Sequence, residues 1–187
     1  MPIGDLGMLK LNTEFLFLAL AAACALLGAI FDIRSRRIPN FITLPGILIG
    51  LALHLILGGW QQLGWAALAC LICGSIFLVF WLAGGMGAGD VKLMAAVGCL
   101  AGMPGVAYLL IWTALAGGVM AIGLAVWRGR LKDMILNVGA LALHHRTEGL
   151  KPHPSLNVGN AWTLRLPYGL AIAAGSAVTL CLLVVQR

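Results

Sequence analysis

The chain has 187 residues, 61% of them hydrophobic and only 10% charged, with a mean hydropathy of +1.02. Soluble domains are about 45–50% apolar and about 25% charged, and a globule of this size cannot hide so much apolar surface from water. The composition predicts an integral membrane protein and excludes a soluble enzyme, a nucleic-acid module, a disordered tail and a secreted disulfide scaffold. The formal charge of +6 comes from twelve Lys and Arg against six Asp and Glu. In a membrane chain those basic residues mark topology, because cytoplasmic flanks carry excess Lys and Arg.

Six apolar runs follow in chain order. Residues 1–14 are short and mixed, and the first run covers roughly 15–31. Lys10 before an apolar stretch resembles a signal peptide. The run instead ends in Phe31-Asp32-Ile33-Arg34-Ser35-Arg36-Arg37, with no small-residue cleavage site, and further runs follow. The second run covers roughly 41–58, with Asn40 as its expected N-cap after Pro39. A short uncharged loop, 58–64, leads to the third run at roughly 63–83. The glycine-rich stretch Gly84-Gly85-Met86-Gly87-Ala88-Gly89-Asp90 comes next. A short fourth run, roughly 91–103, ends at Pro104-Gly105, and a fifth covers roughly 106–127. Residues 128–166 form the long polar segment, whose first half is expected as an interfacial helix and the rest as loop. The sixth run covers roughly 167–185 and opens on Pro167, a residue suited to a helix start.

Charge placement supports six crossings. Arg34, Arg36, Arg37, Lys92, Arg128, Arg130, Lys132, Arg146, Lys151 and Arg165 all fall on one side; Lys10 and Arg187 fall on the other. The positive-inside rule makes the crowded side cytoplasmic and both termini outward. Thirteen residues of helix rise only about 20 Å, short of a roughly 30 Å apolar core. The fourth run is therefore expected to start below the cytoplasmic surface, which recesses Asp90; a re-entrant loop is the alternative. The expected fold is all-α and polytopic, with six transmembrane helices in one domain over 1–187 and 128–166 in the cytoplasm.

The five cysteines (Cys24, Cys70, Cys73, Cys99, Cys181) lie in apolar runs, where Cys behaves as a small hydrophobe. Trp60, Trp65, Trp81, Trp127 and Trp162 fall near run ends and read as an interfacial belt. His54 in an apolar run reads as a packed core residue. His144, His145 and His153 have no acidic or Cys companions at ligand spacing, so no metal is expected.

Six acidic residues remain to be weighed. Asp5 and Glu14 read as part of a solvated tail, and Asp133 and Glu148 as surface ion-pair partners. Asp32 and Asp90 each sit at the cytoplasmic end of an apolar run. A carboxylate in hydrocarbon costs at least about 2.5–3.5 kcal/mol, so it needs a partner or a task. The bland reading pairs them with Arg34 or Lys92, or with water. Dense glycine before Asp90 disfavours regular helix and admits close backbone approach. Irregular backbone at membrane depth requires protein or a water-filled cavity around it. Two carboxylates held close on one face share a proton and can activate water against a carbonyl.

These residues carry a resemblance. Gly87-Ala88-Gly89-Asp90 followed by Lys92, the upstream Asp32 with Ile38-Pro39-Asn40 after it, and Pro167-Tyr168-Gly169 together resemble the type IV prepilin peptidases, which are GxGD intramembrane aspartic proteases. The resemblance implies that Asp32 and Asp90 are the catalytic aspartates and Gly87 and Gly89 the motif glycines. Lys92 matches the basic residue after the motif, and reads either as electrostatic support or as a positive-inside anchor. The implied substrates are prepilins or pseudopilins with a short basic leader, cut at the cytoplasmic face of the bacterial inner membrane. Membrane lipid and the pilus assembly machinery are the other implied partners, with no cofactor and no nucleic acid. Larger bifunctional members carry a cytoplasmic insertion with paired Cys-x-x-Cys motifs. Here the one Cys-x-x-Cys, Cys70 to Cys73, lies inside the third run, so neither zinc nor N-methylation is implied. The short form looks more like the peptidases of Tad/Flp-type pilus systems, with an archaeal preflagellin peptidase as the near alternative. Two rivals come from other classes. A proton-coupled transporter favours mid-membrane carboxylates and inverted halves. A non-catalytic scaffold of a pilus or secretion system tolerates Asp→Asn at both positions.

Overall fold

The computed structural model describes residues 3–149 and 166–185, and no strand occurs among them. The elements are α1 (Ile3–Ser35), α2 (Asn40–Leu82), α3 (Ala88–Ala101), a 3₁₀ turn (Met103–Gly105), α4 (Val106–Trp127), α5 (Leu131–Glu148) and α6 (Tyr168–Val185). Lys151, His153, Trp162, Arg165 and Arg187 lie outside the described residues, as do the side chains of Asp5, Lys10, Asp133 and His145.

Helix α1 begins well before the apolar run, at Ile3, and the helix continues through residues 3–14 without a break. It ends where Arg36 turns left-handed (φ 52°) and its N–H bonds back to the Asp32 carbonyl at 2.8 Å. Pro39 then prevents continuation. Asn40 begins α2 but does not cap it: Pro39 holds the cap position, with no side-chain cap bond. The Asn40 side chain instead accepts a 3.1 Å hydrogen bond from Lys92 Nζ.

Four described helices are long and apolar enough to cross a membrane: 12–35, 40–82, 103–127 and 168–185. The difference from the six runs has two sources. First, α3 has only 14 residues. Second, the expected loop at 58–64 is helical except at Gly59 (φ 69°, ψ −169°). A straight helix of 43 residues is about 64 Å long, twice the apolar core of a bilayer. Gly59 resolves that excess by bending the chain. Residues 40–58 run parallel to α3, since Asn40 meets Lys92, Gly46 meets Ala96 and His54 meets Leu100. Residues 60–82 run antiparallel to it, since Cys73 meets Gly98 and Gly74 meets Ala95.

The centre of the bundle is α3, where Leu93, Met94, Ala96, Val97 and Cys99 are fully buried. Small residues bring its neighbours close. Ala21, Ala25 and Ala29 line the buried face of α1, and Gly28 admits the Leu93 side chain. The opposite surface is apolar: Ile56, Trp60, Val119 and Trp127 are all more than 70% exposed, as helices facing lipid require. Helix α5 packs against α4 and exposes Ile135, Leu136 and Val138.

This packing makes a prediction. A Cβ at Gly98 falls 2.6 Å from Cys73 Sγ and 3.1 Å from the Ala69 carbonyl oxygen, while one at Gly123 meets nothing within 4 Å. Gly98→Val is expected to destabilise the bundle by about 1–3 kcal/mol through overpacking, and Gly123→Ala to leave it unchanged. Thermal melts of the two variants in detergent check this; a wild-type melt for Gly98→Val contradicts the close approach.

Candidate active site at one end of the bundle

Asp90 occupies the third position of α3, and its position is built from the glycines before it. Gly84 adopts φ 79°, which a side chain resists, and lets the chain reverse after α2. Gly87 is the N-cap residue in extended conformation (φ −83°, ψ 151°). Its N–H donates to Asp90 Oδ2 at 3.1 Å, and the Asp90 N–H returns a bond to the Gly87 carbonyl at 3.2 Å. The carboxylate thus closes the amino end of α3. Gly87 and Gly89 serve close approach rather than left-handed backbone. A Cβ at Gly87 meets Asp90 Oδ2 at 3.2 Å, and one at Gly89 meets Ile38 Cβ at 3.1 Å. The second contact draws the turn after Asp32 against the start of α3.

Asp32, three residues before the end of α1, is half-buried. Its Oδ2 accepts a 3.0 Å hydrogen bond from the Gly169 N–H, in the first turn of α6. A Cβ at Gly169 meets Asp32 Cβ at 3.0 Å and the Ala29 Cα at 3.2 Å, so only glycine lets α6 sit this close. The neighbouring Tyr168 interacts electrostatically with Asp90, and Asp90 with Asp32. Gly169 thus touches Asp32, and Tyr168 beside it lies within electrostatic reach of Asp90. Pro167-Tyr168-Gly169 is visible as a motif in the sequence, but the sequence alone does not connect it to the aspartates. What it lacked was the antiparallel packing of α6 on α1, which brings residues 137 positions apart into contact.

Each carboxylate is thus held at a helix amino terminus, Asp90 at that of α3 and Asp32 at that of α6. Backbone N–H groups and the positive end of the helix dipole stabilise negative charge there. Their free oxygens differ. Asp90 is only 8% exposed and its Oδ1 is buried without a hydrogen-bond partner. Such an oxygen is an acceptor awaiting a donor, and a water or a substrate amide satisfies it. Lys92 faces away on the exposed side of α3 and is engaged by Asn40. Arg36 is near enough to act electrostatically on Asp32. Two carboxylates within electrostatic reach of each other, one with an unsatisfied buried oxygen, are an arrangement fit to polarise a water.

Comparison with known proteins follows the same residues. The family model of the type IV leader peptidase family matches residues 18–122, more than half of the chain. The chain belongs to that family. The matched stretch includes both Asp32 and Asp90 but ends before Tyr168-Gly169. Among similar proteins, the prepilin leader peptidase/N-methyltransferase of Burkholderia pseudomallei strain K96243 is 36% identical over 122 residues, covering 60% of this chain and 38% of that protein. The protein of the same name from Aeromonas hydrophila is 36% identical over 104 residues, covering 52% of this chain and 36% of the relative. The chain thus spans little more than a third of the length of the curated relatives it matches. No solved structure matches it.

Proposed function

We propose that this chain is an intramembrane aspartic endopeptidase that removes the leader of prepilin-like subunits, with Asp32 and Asp90 as its catalytic pair. The observation that supports the reading is that Asp32 and Asp90 lie within electrostatic reach of each other, in a chain of the leader peptidase family. The names of the relatives support prepilin as the substrate.

The chemistry follows from the pair. Two adjacent carboxyl groups cannot easily both ionise, and they titrate as one unit holding one proton. The ionised member takes a proton from water as its oxygen attacks the scissile carbonyl carbon. The protonated member gives its proton to the carbonyl oxygen, and a tetrahedral diol forms. Collapse of the diol breaks the C–N bond, and the amine leaves with a proton returned by the pair. The unsatisfied Asp90 Oδ1 suits the water-binding role. The glycine-rich turn at 84–89 lets an extended substrate backbone come near.

The membrane arrangement is part of the proposal. The bend at Gly59 supports counting α2 as two crossings, and with α3 that makes six in a single peptidase domain. The basic residues favour a cytoplasmic side for the aspartates, and a bacterial inner membrane is the proposed setting. The exposed apolar face of α5 suits the interface. A leader that is short and basic, followed by an apolar helix, presents its cut site at that depth. Tad/Flp-type pilins are the proposed substrates, with the pilus machinery as partner.

Lys92 holds Asn40 rather than a carboxylate. Lys92→Met is therefore expected to change kcat/KM for prepilin cleavage less than about tenfold, because the exposed Lys92–Asn40 bond is worth at most about 1 kcal/mol net. A loss approaching that of the aspartate variants contradicts this. The proposed activity is tested by co-expressing the chain with a Tad-type prepilin and following its mobility on a gel. The expected result is a faster-migrating mature pilin; full-length prepilin beside membrane-inserted protein contradicts the reading.

A further inference from the structure

The turn between α1 and α2 is built around a strained residue. Arg36 has φ 52°, and among the described residues it alone, glycines apart, has a positive φ. A side chain resists that conformation, which glycine adopts freely and asparagine tolerates. The turn is pinned on both sides. The Arg36 N–H donates to the Asp32 carbonyl at 2.8 Å, and the Ser35 hydroxyl lies 2.8 Å from the Phe31 carbonyl oxygen and 3.1 Å from that of Arg37. Two residues on, Ile38 packs into the room that Gly89 leaves, one position before Asp90. Arg36 thus stands in the segment that runs from one aspartate to the neighbourhood of the other.

A glycine closes a helix end of this kind without strain, so an arginine held there points to a task for its side chain. Topology does not account for it. Arg34 and Arg37 are equally exposed and mark the same side of the membrane, yet neither takes a positive φ. The charges near the aspartates narrow the task. Lys92, on α3, is engaged by Asn40. Arg36 is within electrostatic reach of Asp32, whose Oδ2 accepts from the Gly169 N–H of α6 and which in turn acts on Asp90 of α3. Two carboxyl groups that share one proton retain one negative charge, and a cation beside them stabilises it.

We propose that Arg36 is a positioning residue for the aspartate pair, held in its left-handed turn so that its guanidinium stabilises the negative charge the pair retains. The inference rests on the peptidase reading of Asp32 and Asp90. Arg36 acts through Asp32, and because it is exposed its effect is modest and screened by salt. Its backbone and its charge pull in opposite directions: the turn alone favours Gly or Asn at this position, and the pair favours a cation.

The test separates charge from turn in the purified full chain, in nanodiscs of zwitterionic lipid, with a synthetic prepilin of basic leader and apolar helix as substrate. Arg36→Gly and Arg36→Asn keep the turn and drop the charge; Arg36→Lys keeps the charge. The Gly and Asn variants are expected to melt no lower than wild type, yet to lose about three- to fivefold in kcat at low salt, the scale of one exposed charge interaction. Arg36→Lys is expected to recover most of that loss, and Arg37→Gln to keep the wild-type kcat. At about 1 M salt, where the screening length is about 3 Å, wild type and Arg36→Gly are expected to converge. KM is expected not to rise in Arg36→Gly, because a cation repels a basic leader. Wild-type kcat in Arg36→Gly, an equal loss in Arg36→Lys or Arg37→Gln, or a lowered melt in Arg36→Gly overturns the proposal. Asp32→Asn, run alongside, separates the two failures. Full activity there sinks the peptidase site and this inference with it; an inactive Asp32→Asn beside a fully active Arg36→Gly sinks this inference alone.

Discussion

Asp90→Asn and Asp32→Asn are each expected to lower the rate of prepilin cleavage by about 10³-fold or more, and the double variant no further. Asparagine keeps the shape of each side chain, including an oxygen that accepts from Gly87 or Gly169. It removes the shared proton and the base. General acid–base catalysis contributes about 10²–10⁴-fold, and this pair supplies both acid and base. Groups that act as a unit lose function together, so the losses do not add. The measurement is the initial cleavage rate of purified singles and double, with melting temperatures alongside. Additive losses, one variant costing 10³-fold and the pair its square, would mean that the aspartates act separately.

Gly169→Val is the second large effect, expected at about 10²-fold or more in kcat, with the bundle still folded. Its Cβ falls 3.1 Å from Asp32 Oδ2 and 3.2 Å from the Ala29 Cα. The Ala29 contact is backbone on a buried helix face and cannot yield, so the Asp32 carboxylate must move. A displacement of about 1 Å at a reacting group costs about 10²-fold. Gly169→Ala makes the same contacts with less bulk and falls between Val and wild type. Gly117→Ala, on α4 facing the same helix, meets Ala171 at an ordinary 3.7 Å and is expected to be neutral. Cleavage at the wild-type rate by Gly169→Val shows that the Asp32–Gly169 contact does not position the carboxylate.

Much of this arrangement was legible in the sequence, for particular physical reasons. The all-helical character followed from apolar runs that no soluble fold could bury. Asp32 and Asp90 stood out because a carboxylate at an apolar run's end is costly and therefore conspicuous. Helix boundaries were less legible. The 58–64 stretch reads as a loop by its Gly, Gln and Trp content, yet one residue, Gly59, makes the whole bend. Asn40 has a cap residue's chemistry, yet Lys92 on another helix claims its side chain. Gly169 was invisible as a site residue because its contribution is a backbone N–H and a missing Cβ, and neither has a signature outside the packed structure. His54 reads as core from its apolar run, and it is buried. Its orphaned nitrogen emerges only once Leu100, Phe17 and Gly102 surround it.

The most direct measurement is product mass. The purified full chain, in lipid nanodiscs, is incubated with a synthetic prepilin of basic leader and apolar helix, and the products are weighed. The account predicts two fragments from wild type, with the cut at the end of the leader, and intact substrate from folded Asp32→Asn and Asp90→Asn. The same cut made by either variant at the wild-type rate would contradict the two-aspartate site.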